Sequence, residues 1–279
     1  MAISGKAKVA GIMGWPVGHS KSPVLHGFWL SEYGIDGAYV PMAVAPENLK
    51  TALKALSSFG FRGVNLTVPH KEAALTIVDE VTPEGRAVGA INTVFVLPDG
   101  RLQGTNTDAY GFIENLRQGS VGFEAKRGPA VVLGAGGAAR AVCAALIQAG
   151  TPEIRLLNRT LARAETLARD FGKTVTPMAW ADAAKAMSDA ALLVNSTSLG
   201  MTGQPVLDVS LDTLPASAVV TDLVYAPLET PLLAAAKKRG NKTVDGLGML
   251  LYQAQKGFEG WFGVTPAVTP ALRKHLLSL

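Results

Sequence analysis

The run Val131-Val132-Leu133-Gly134-Ala135-Gly136-Gly137-Ala138-Ala139-Arg140 constrains the fold of this 279-residue chain more than any other stretch. Apolar, strand-forming residues give way without a linker to glycine and alanine, and then to a helix-forming run that reaches Ala149. That order reads as strand, tight turn and helix. Gly134 permits the sharp turn. Gly136 lets the backbone approach a bound pyrophosphate, whose charge then faces the free N–H groups at the helix start. Ala139 supplies the small side chain needed where helix packs on strand. An ordinary strand-to-helix turn has no need of unbroken glycine and alanine from Gly134 to Ala139, so the run predicts a dinucleotide-binding module.

The surrounding pattern agrees. After Asp108, short apolar runs at 130–133, 154–157, 192–195, 219–223 and 243–244 read as strands, with helices between them at 137–149, 161–171 and 231–239. Strands separated by helices of this length imply a parallel, doubly wound sheet. The first half reads as strands at 8–14, 38–44 and 63–68, helices at 23–33 and 47–58, and helical segments to about Val88. A hairpin over 93–97 and 102–104 turns at Pro98-Asp99-Gly100. Helices at 109–116, 246–261 and 270–277 complete the chain. Ser22 followed by Pro23 has the form of a helix N-cap and first turn. The length suits about two domains.

Composition removes other classes. Hydrophobic residues make up 48% and charged residues 17%, against a usual charged share of about 25%, which excludes a disordered chain. The formal charge of +4 is spread thinly. No basic stripe with interleaved aromatics stands out, so nucleic-acid binding is not expected. The apolar stretch 130–149 carries Arg140 and three glycines, so it is a buried strand and helix rather than a membrane span. Cys143 is the only cysteine. It allows no intrachain disulfide and points to the cytoplasm. His19, His26, His70 and His275 are scattered without metal-ligand spacing, so no metal is expected.

The second strand of the parallel sheet ends in Asn158-Arg159-Thr160, with Arg163 one turn on. An NAD site wants an acid there for the ribose 2′-hydroxyl. Two arginines at a helix start oppose the dipole unless an anion lies between them. A 2′-phosphate is such an anion. Each arginine–phosphate contact contributes ~1.5–3 kcal/mol, so two favour NADP over NAD on the order of a hundredfold.

Polar residues cluster at strand ends of the first half. Ser20 and Ser22 follow the first strand, and two hydroxyls there suit a carboxylate or polyol. Asn65 and Thr67 share one strand face. Pro69 forces an exit from the sheet, and Lys71 stands just past it at the start of a helical segment. Asn92-Thr93 and Asn106-Thr107-Asp108 add carboxamides and one carboxylate. A lysine and an aspartate converging on a secondary alcohol serve hydride transfer, which needs a group that gives or takes the hydroxyl proton.

In order along nearly its whole length the chain resembles the shikimate dehydrogenases. The resemblance is carried by Ser20-Lys21-Ser22-Pro23, Asn65-Leu66-Thr67-Val68-Pro69-His70-Lys71, Gly89-Ala90-Ile91-Asn92-Thr93 and Asn106-Thr107-Asp108. It continues through Gly134-Ala135-Gly136-Gly137-Ala138, Asn158-Arg159-Thr160, Asn195-Ser196-Thr197-Ser198-Leu199-Gly200-Met201 and Asp222-Leu223-Val224-Tyr225-Ala226-Pro227. Thr230-Pro231-Leu232-Leu233, Asp245-Gly246-Leu247-Gly248-Met249-Leu250 and Gln253 complete it. His70 is a departure, since some members carry another bulky aromatic there.

The resemblance implies NADPH-dependent reduction of 3-dehydroshikimate to shikimate. It implies Lys71 and Asp108 as the catalytic pair, with Lys71 the proton donor and acceptor. Ser20, Ser22 and Tyr225 would hold the substrate carboxylate. Thr67, Asn92 and Gln253, with Lys71 and Asp108, would read the ring hydroxyls. Gly134, Ala135, Gly136, Gly137, Ala138, Thr197, Gly246 and Met249 would bind NADP, with Asn158, Arg159, Thr160 and Arg163 on its 2′-phosphate. The implied fold is an N-terminal α/β substrate domain over 1–107 and a Rossmann NADP domain over 108–245. The C-terminal helices, 246–279, return to the first domain, and the active site lies in the cleft between the two. A monomer or a homodimer is expected. Two rivals stand beside this reading. One is a quinate/shikimate dehydrogenase using NAD or NADP. The other is a catalytically silent NADP-binding regulator, which the joint presence of Lys71, Asp108, Ser20, Ser22 and Gln253 disfavours.

Overall fold

A computed structural model describes residues 3–278. The chain divides into two compact units, Met1–Thr107 with Leu251–Leu279, and Asp108–Leu250.

The first unit is built on β1 (Lys8–Gly14), α1 (Ser22–Glu32), β2 (Gly37–Ala43), α2 (Leu49–Ala55), β3 (Phe61–Leu66), β4 (Glu80–Val81), α3 (Pro83–Val88), β5 (Thr93–Val96) and β6 (Leu102–Thr105). Its six strands run in the order β2-β1-β3-β5-β6-β4. The β1 strand is parallel to both β2 and β3, β5 runs antiparallel to β3 and to its hairpin partner β6, and β4 adds parallel to β6 at the edge. Leu53, Val64, Ile91 and Val94 are wholly buried in the core beneath it, each such side chain contributing ~1.5–3 kcal/mol.

The second unit contains α4 (Asp108–Gly119), β7 (Ala130–Leu133), α5 (Gly137–Gln148), β8 (Ile154–Asn158), α6 (Leu161–Phe171), β9 (Val175–Ala179), α7 (Ala183–Met187), β10 (Leu192–Asn195), β11 (Val219–Asp222), α8 (Pro231–Lys238) and β12 (Lys242–Val244). Its sheet is wholly parallel, in the order β12-β11-β10-β7-β8-β9. Counted from β7 this is the 3-2-1-4-5-6 order of the doubly wound dinucleotide fold, with the switch point between β7 and β10. Every residue of β7, β10 and β11 is buried, as strands covered by helices on both faces require.

The last helices are α9 (Leu247–Phe262) and α10 (Pro270–Leu277). From Leu251 onward they belong to the first unit. Trp261 Nε1 donates to the Val94 carbonyl at 3.1 Å, and Trp29 Nε1 to Ala267 at 3.0 Å. The division between units falls inside the continuous α9, five residues past the boundary expected at Asp245.

Several elements differ from the sequence pattern. The helical segments expected after Lys71 to about Val88 are a 3-10 helix over Ala73–Thr76 and α3, with the unanticipated two-residue edge strand β4 between them. The strand β9 completes the parallel sheet at its edge, the one place where its Pro177 forfeits no ladder hydrogen bond. The N-cap of α1 is Lys21, and Ser22 is already helical. Ser20 takes part in that turn, its Oγ accepting from the Ser22 N–H at 3.3 Å. Side-chain caps stand instead at three Thr-Pro pairs. Thr82, Thr230 and Thr269 each accept from the N–H three residues on, and each is followed by a proline in the first turn.

Candidate active site

In the second unit every proposed ligand group except Asp108 follows the C-terminal end of a parallel strand or opens the helix after it. The glycine turn follows β7, Asn158-Arg159-Thr160 ends β8, Thr197 follows β10, Tyr225 follows β11 and Gly246 follows β12. Ligands of open parallel sheets lie in that crevice. A pocket of about 570 Å³ opens there. Gly134, Ala135, Gly136, Asn158, Arg159, Thr160, Arg163 and Thr197 line it. Gly137 and Ala138 lie at the exposed start of α5, and Tyr225, Gly246 and Met249 are outside its lining.

The two leading glycines of the turn do different work. Gly134 has φ +104°, and a Cβ there would stand 2.8 Å from Thr197 Cγ2 and 3.0 Å from Ser196 Oγ. Conformation and space both demand glycine. At Gly136, the N-cap of α5, φ is −104° and a Cβ would meet nothing in the protein. No packing dictates glycine there, so its missing side chain leaves room for a ligand.

The start of α6 is electrostatically bare. Thr160, its N-cap, makes no side-chain cap and no acid lies in the first turn. Arg159 and Arg163 are exposed and make no ion pair among the described residues. Asn158 is held in place, its Nδ2 donating to the Thr160 carbonyl at 2.8 Å. An anion at this helix start gains from two guanidinium groups and the dipole together. The donor set therefore fits a phosphorylated dinucleotide.

The loop after β10 is shaped by Asn195, which is wholly buried. Its Oδ1 accepts from the Thr197 N–H at 3.0 Å and the Thr197 hydroxyl at 2.7 Å. Its Nδ2 donates to the Leu199 carbonyl at 3.1 Å and to Asp222 Oδ1 at 2.9 Å. Trp180, Ser196, Ser198, Leu199, Val206 and Asp208 also line the pocket. The segment Ser196–Leu199 sat inside a motif whose roles had been assigned only at Thr197. Trp180 follows the unanticipated β9, and Val206 and Asp208 occupy a loop without periodicity.

In the first unit, Asn92, Thr107 and Gln253 come together from the start of β5, the end of β6 and α9. Asn92 Oδ1 accepts from the Thr107 N–H at 2.9 Å, and its Nδ2 donates to Thr107 Oγ1 at 3.0 Å. Gln253 Oε1 accepts from the Thr107 hydroxyl at 3.3 Å and from Asn92 Nδ2 at 3.4 Å. Behind them Asn65 Nδ2 donates to the Asn92 carbonyl and to Thr93 Oγ1, and the Tyr39 hydroxyl donates to Asn65 Oδ1 at 2.6 Å. Burial pushes the Tyr39 phenol up, against a hydrogen bond from the Ser22 side chain. Asn65, Thr93 and Tyr39 thus stand behind Asn92, and Thr107, named in a motif without a role, joins Asn92 and Gln253 in the cluster.

Thr67 is half-buried one residue past β3. Lys71, also half-buried, lies in the turn after Pro69 rather than on a helix, and its carbonyl accepts from the Ile91 N–H at 2.8 Å. That bond joins the lysine turn to the segment leading to Asn92. His70 is buried with Nε2 2.8 Å from the Val44 carbonyl, which anchors the same turn from the other side. Ser20 is half-buried and Ser22 buried. In the second unit Asp108 is the first residue of α4, where a carboxylate suits the dipole. Tyr225 and Met249 are half-buried, and burial pushes the Tyr225 phenol up. Among the described residues no helix is long and apolar enough to cross a membrane.

The family model for the shikimate dehydrogenase substrate binding domain matches residues 12–94, and that for shikimate / quinate 5-dehydrogenase matches residues 117–207. The shikimate dehydrogenase (NADP(+)) of Paramagnetospirillum magneticum is 60% identical over 99% of this chain and 100% of its own. The crystal structure of shikimate 5-dehydrogenase from Thermus thermophilus, in complex with NADP(H) and shikimate, superposes with a TM-score of 0.85 at 41% identity, covering 97% of this chain and 99% of that one. Quinate dehydrogenase from Corynebacterium glutamicum in complex with NAD reaches 0.90 at 30% identity, over 98% and 99%. With both family models in register and a full-length relative this similar, the chain belongs to the shikimate dehydrogenase family.

Proposed function

We propose that this chain catalyses the reversible NADPH-dependent reduction of 3-dehydroshikimate to shikimate, a step of aromatic amino-acid biosynthesis. The observation that carries the reading is the pair Arg159 and Arg163, free of ion pairs among the described residues, at the rim of a pocket floored by the glycine turn. The cluster Asn92–Thr107–Gln253 supports its substrate half, because buried carboxamides and hydroxyls match a polyol.

When bound, NADPH supplies the hydride that reduces the ring ketone. Gly134, Ala135, Gly136, Gly137 and Ala138 would hold its pyrophosphate. Asn158, Arg159, Thr160 and Arg163 would take the 2′-phosphate, and Thr197, Gly246 and Met249 would line the remainder. Ser20, Ser22 and Tyr225 hold the substrate carboxylate, and Thr67, Asn92 and Gln253 orient the ring. The Lys71 ammonium gives its proton to the oxygen that becomes the hydroxyl, and takes it back in the reverse direction. The Asp108 carboxylate accepts a hydrogen bond from that hydroxyl and fixes its direction.

The expected state is a monomer or a homodimer. The cytoplasm is the matching compartment. Burial pushes the Cys143 thiol up to about 12, and no second cysteine exists to bridge it. The test mixes the protein with shikimate and NADP at alkaline pH and follows the absorbance of the reduced nicotinamide, beside quinate and NAD. A higher kcat/KM for quinate with NAD would overturn the assignment in favour of a quinate dehydrogenase.

A further inference from the structure

Asp222 ends β11 with no solvent exposure, and among the described residues no lysine or arginine pairs with it. Burial raises its carboxyl, against hydrogen bonds from Thr230, Val224 and Asn195. An unpaired carboxylate in such a place is costly unless its acceptor capacity is filled. Here it is filled from three directions. Oδ1 accepts from Asn195 Nδ2 at 2.9 Å and from the Val224 N–H at 3.0 Å. Oδ2 accepts from the Thr230 hydroxyl at 2.7 Å, and the same Thr230 oxygen caps α8 at the Leu233 N–H.

Each direction leads to a different part of the proposed site. Through Asn195, whose amide makes four bonds, the carboxylate holds Thr197 and Leu199 in the cofactor pocket. Through the Val224 N–H it sets the segment that carries Tyr225, the proposed carboxylate ligand. Gly246, proposed against the cofactor, lies on this same segment, since a Cβ there would run into the Leu223 and Val224 carbonyl oxygens. A further bond ties the two loops, the Thr202 N–H donating to the Ala226 carbonyl at 2.7 Å.

We infer that Asp222 is a positioning residue that couples the two ligands: a cofactor seated on Thr197 and Gly246 fixes the Leu223–Tyr225 segment in the arrangement that receives the substrate carboxylate. Reciprocally, substrate on Tyr225 tightens cofactor binding by the same factor. The inference rests on the reading of the chain as an NADP-dependent shikimate dehydrogenase.

The test is calorimetric, because NADPH and shikimate are both reduced and form a ternary complex that cannot turn over. Shikimate is titrated into the enzyme alone and into the enzyme saturated with NADPH. In the wild type the second Kd is expected to be at least about fivefold lower, the lower end of ordinary coupling. Asp222→Ala is expected to bring the two values within twofold. Asp222→Asn keeps an acceptor toward Asn195 and Val224 and a donor toward Thr230 Oγ1, so it is expected to retain most of the coupling. Asn195→Ala cuts the link to Thr197 while leaving Asp222 its Val224 and Thr230 bonds. It serves if the alanine variant fails to fold, and it too is expected to lose the coupling. Equal shikimate Kd values in the wild type, or full coupling in a folded Asp222→Ala or Asn195→Ala, would overturn the inference. If the protein did not oxidise shikimate with NADP at all, the fault would lie in the functional reading instead.

Discussion

Replacing Arg159 and Arg163 by alanine sets two free energies moving in opposite directions. Both side chains are exposed at the start of α6, where no acid or side-chain cap offsets the helix dipole. Removing a cation from that position stabilises the cofactor-free protein. Exposure places the gain near the low end of the dipole range, ~0.3 kcal/mol per arginine. Two arginines give about 0.6 kcal/mol, or on the order of 1–2 °C in Tm. The cofactor side is larger. Each lost arginine–phosphate contact costs ~1.5 kcal/mol at the low end, a little over tenfold in NADPH affinity, and the pair on the order of a hundredfold. NADH carries no 2′-phosphate, so its KM is expected to stay within about twofold.

The assay is a set of four proteins, the wild type, the two single variants and the double. Steady-state KM for NADPH and for NADH is measured on each, beside the melting temperature without cofactor. Equal losses for both cofactors would mean that the guanidinium groups meet the pyrophosphate, or hold the pocket open, and would refute the 2′-phosphate assignment. A lower Tm in the double variant would refute the electrostatic argument, since it would show the arginines stabilising the free protein.

Other expectations test single elements of the site. Gly134→Ala puts a side chain at φ +104° and 2.8 Å from Thr197 Cγ2. It should cost ~1–3 kcal/mol by denaturant unfolding, whereas Gly136→Ala, with open space around it, should change stability by less than ~0.5 kcal/mol yet still raise the KM for NADPH. Lys71→Ala should lower kcat by about 10²–10⁴-fold with a modest change in the KM for shikimate, and a variant with wild-type kcat would remove Lys71 from proton transfer. His26 is wholly buried against Tyr39, Trp29, Phe258 and Trp261, and burial lowers its pKa from 6.5 to about 3. The unfolded chain therefore binds this proton first. The folded state keeps its full stability above pH 6.5 and loses up to ~1.4 kcal/mol per pH unit from this group as pH falls toward 3. His26→Phe should flatten that slope in urea unfolding between pH 6 and 4, and an unchanged slope would show that other groups set the acid limit.

Local signals and long-range ones were not equally legible. The glycine turn and the arginines of α6 each depend on neighbours within a few residues, and a sequence displays such neighbours directly. The bounds of β1, β7, α6 and α10 were readable for the same reason. The strands β4 and β9 were not. Two residues are too few for a period-two pattern, and Pro177 reads as a strand breaker until the topology puts its strand at an edge. The cap of α1 was misread because Ser22-Pro23 has the right residues one position too late, the helix having already taken Ser22. The return of α9 and α10 to the first unit came from family resemblance, since nothing in a helix's own periodicity names its partner.

The rear of the substrate cluster shows what local reading cannot reach. Asn65 is visible as a polar strand-end residue, but its partner is not, since Tyr39 looks like one more aromatic. Yet β1 lies between their strands, with Ala10 registered on Tyr39 and Ile12 on Asn65. Residues 10 and 12 point to one face of the sheet, so Tyr39 and Asn65 share that face one strand apart. Ala10 is small enough for a phenol to pass over the intervening strand, and the Tyr39 hydroxyl then reaches Asn65 Oδ1. The other side of that amide is fixed by its bonds to the Asn92 carbonyl and Thr93. Its orientation therefore has no freedom, and neither has the direction in which Tyr39 donates. Three separated positions and one small residue have to agree before Asn92 is held at the front of the cluster. Agreement of that kind belongs to sheet register, which a pass along the chain cannot supply.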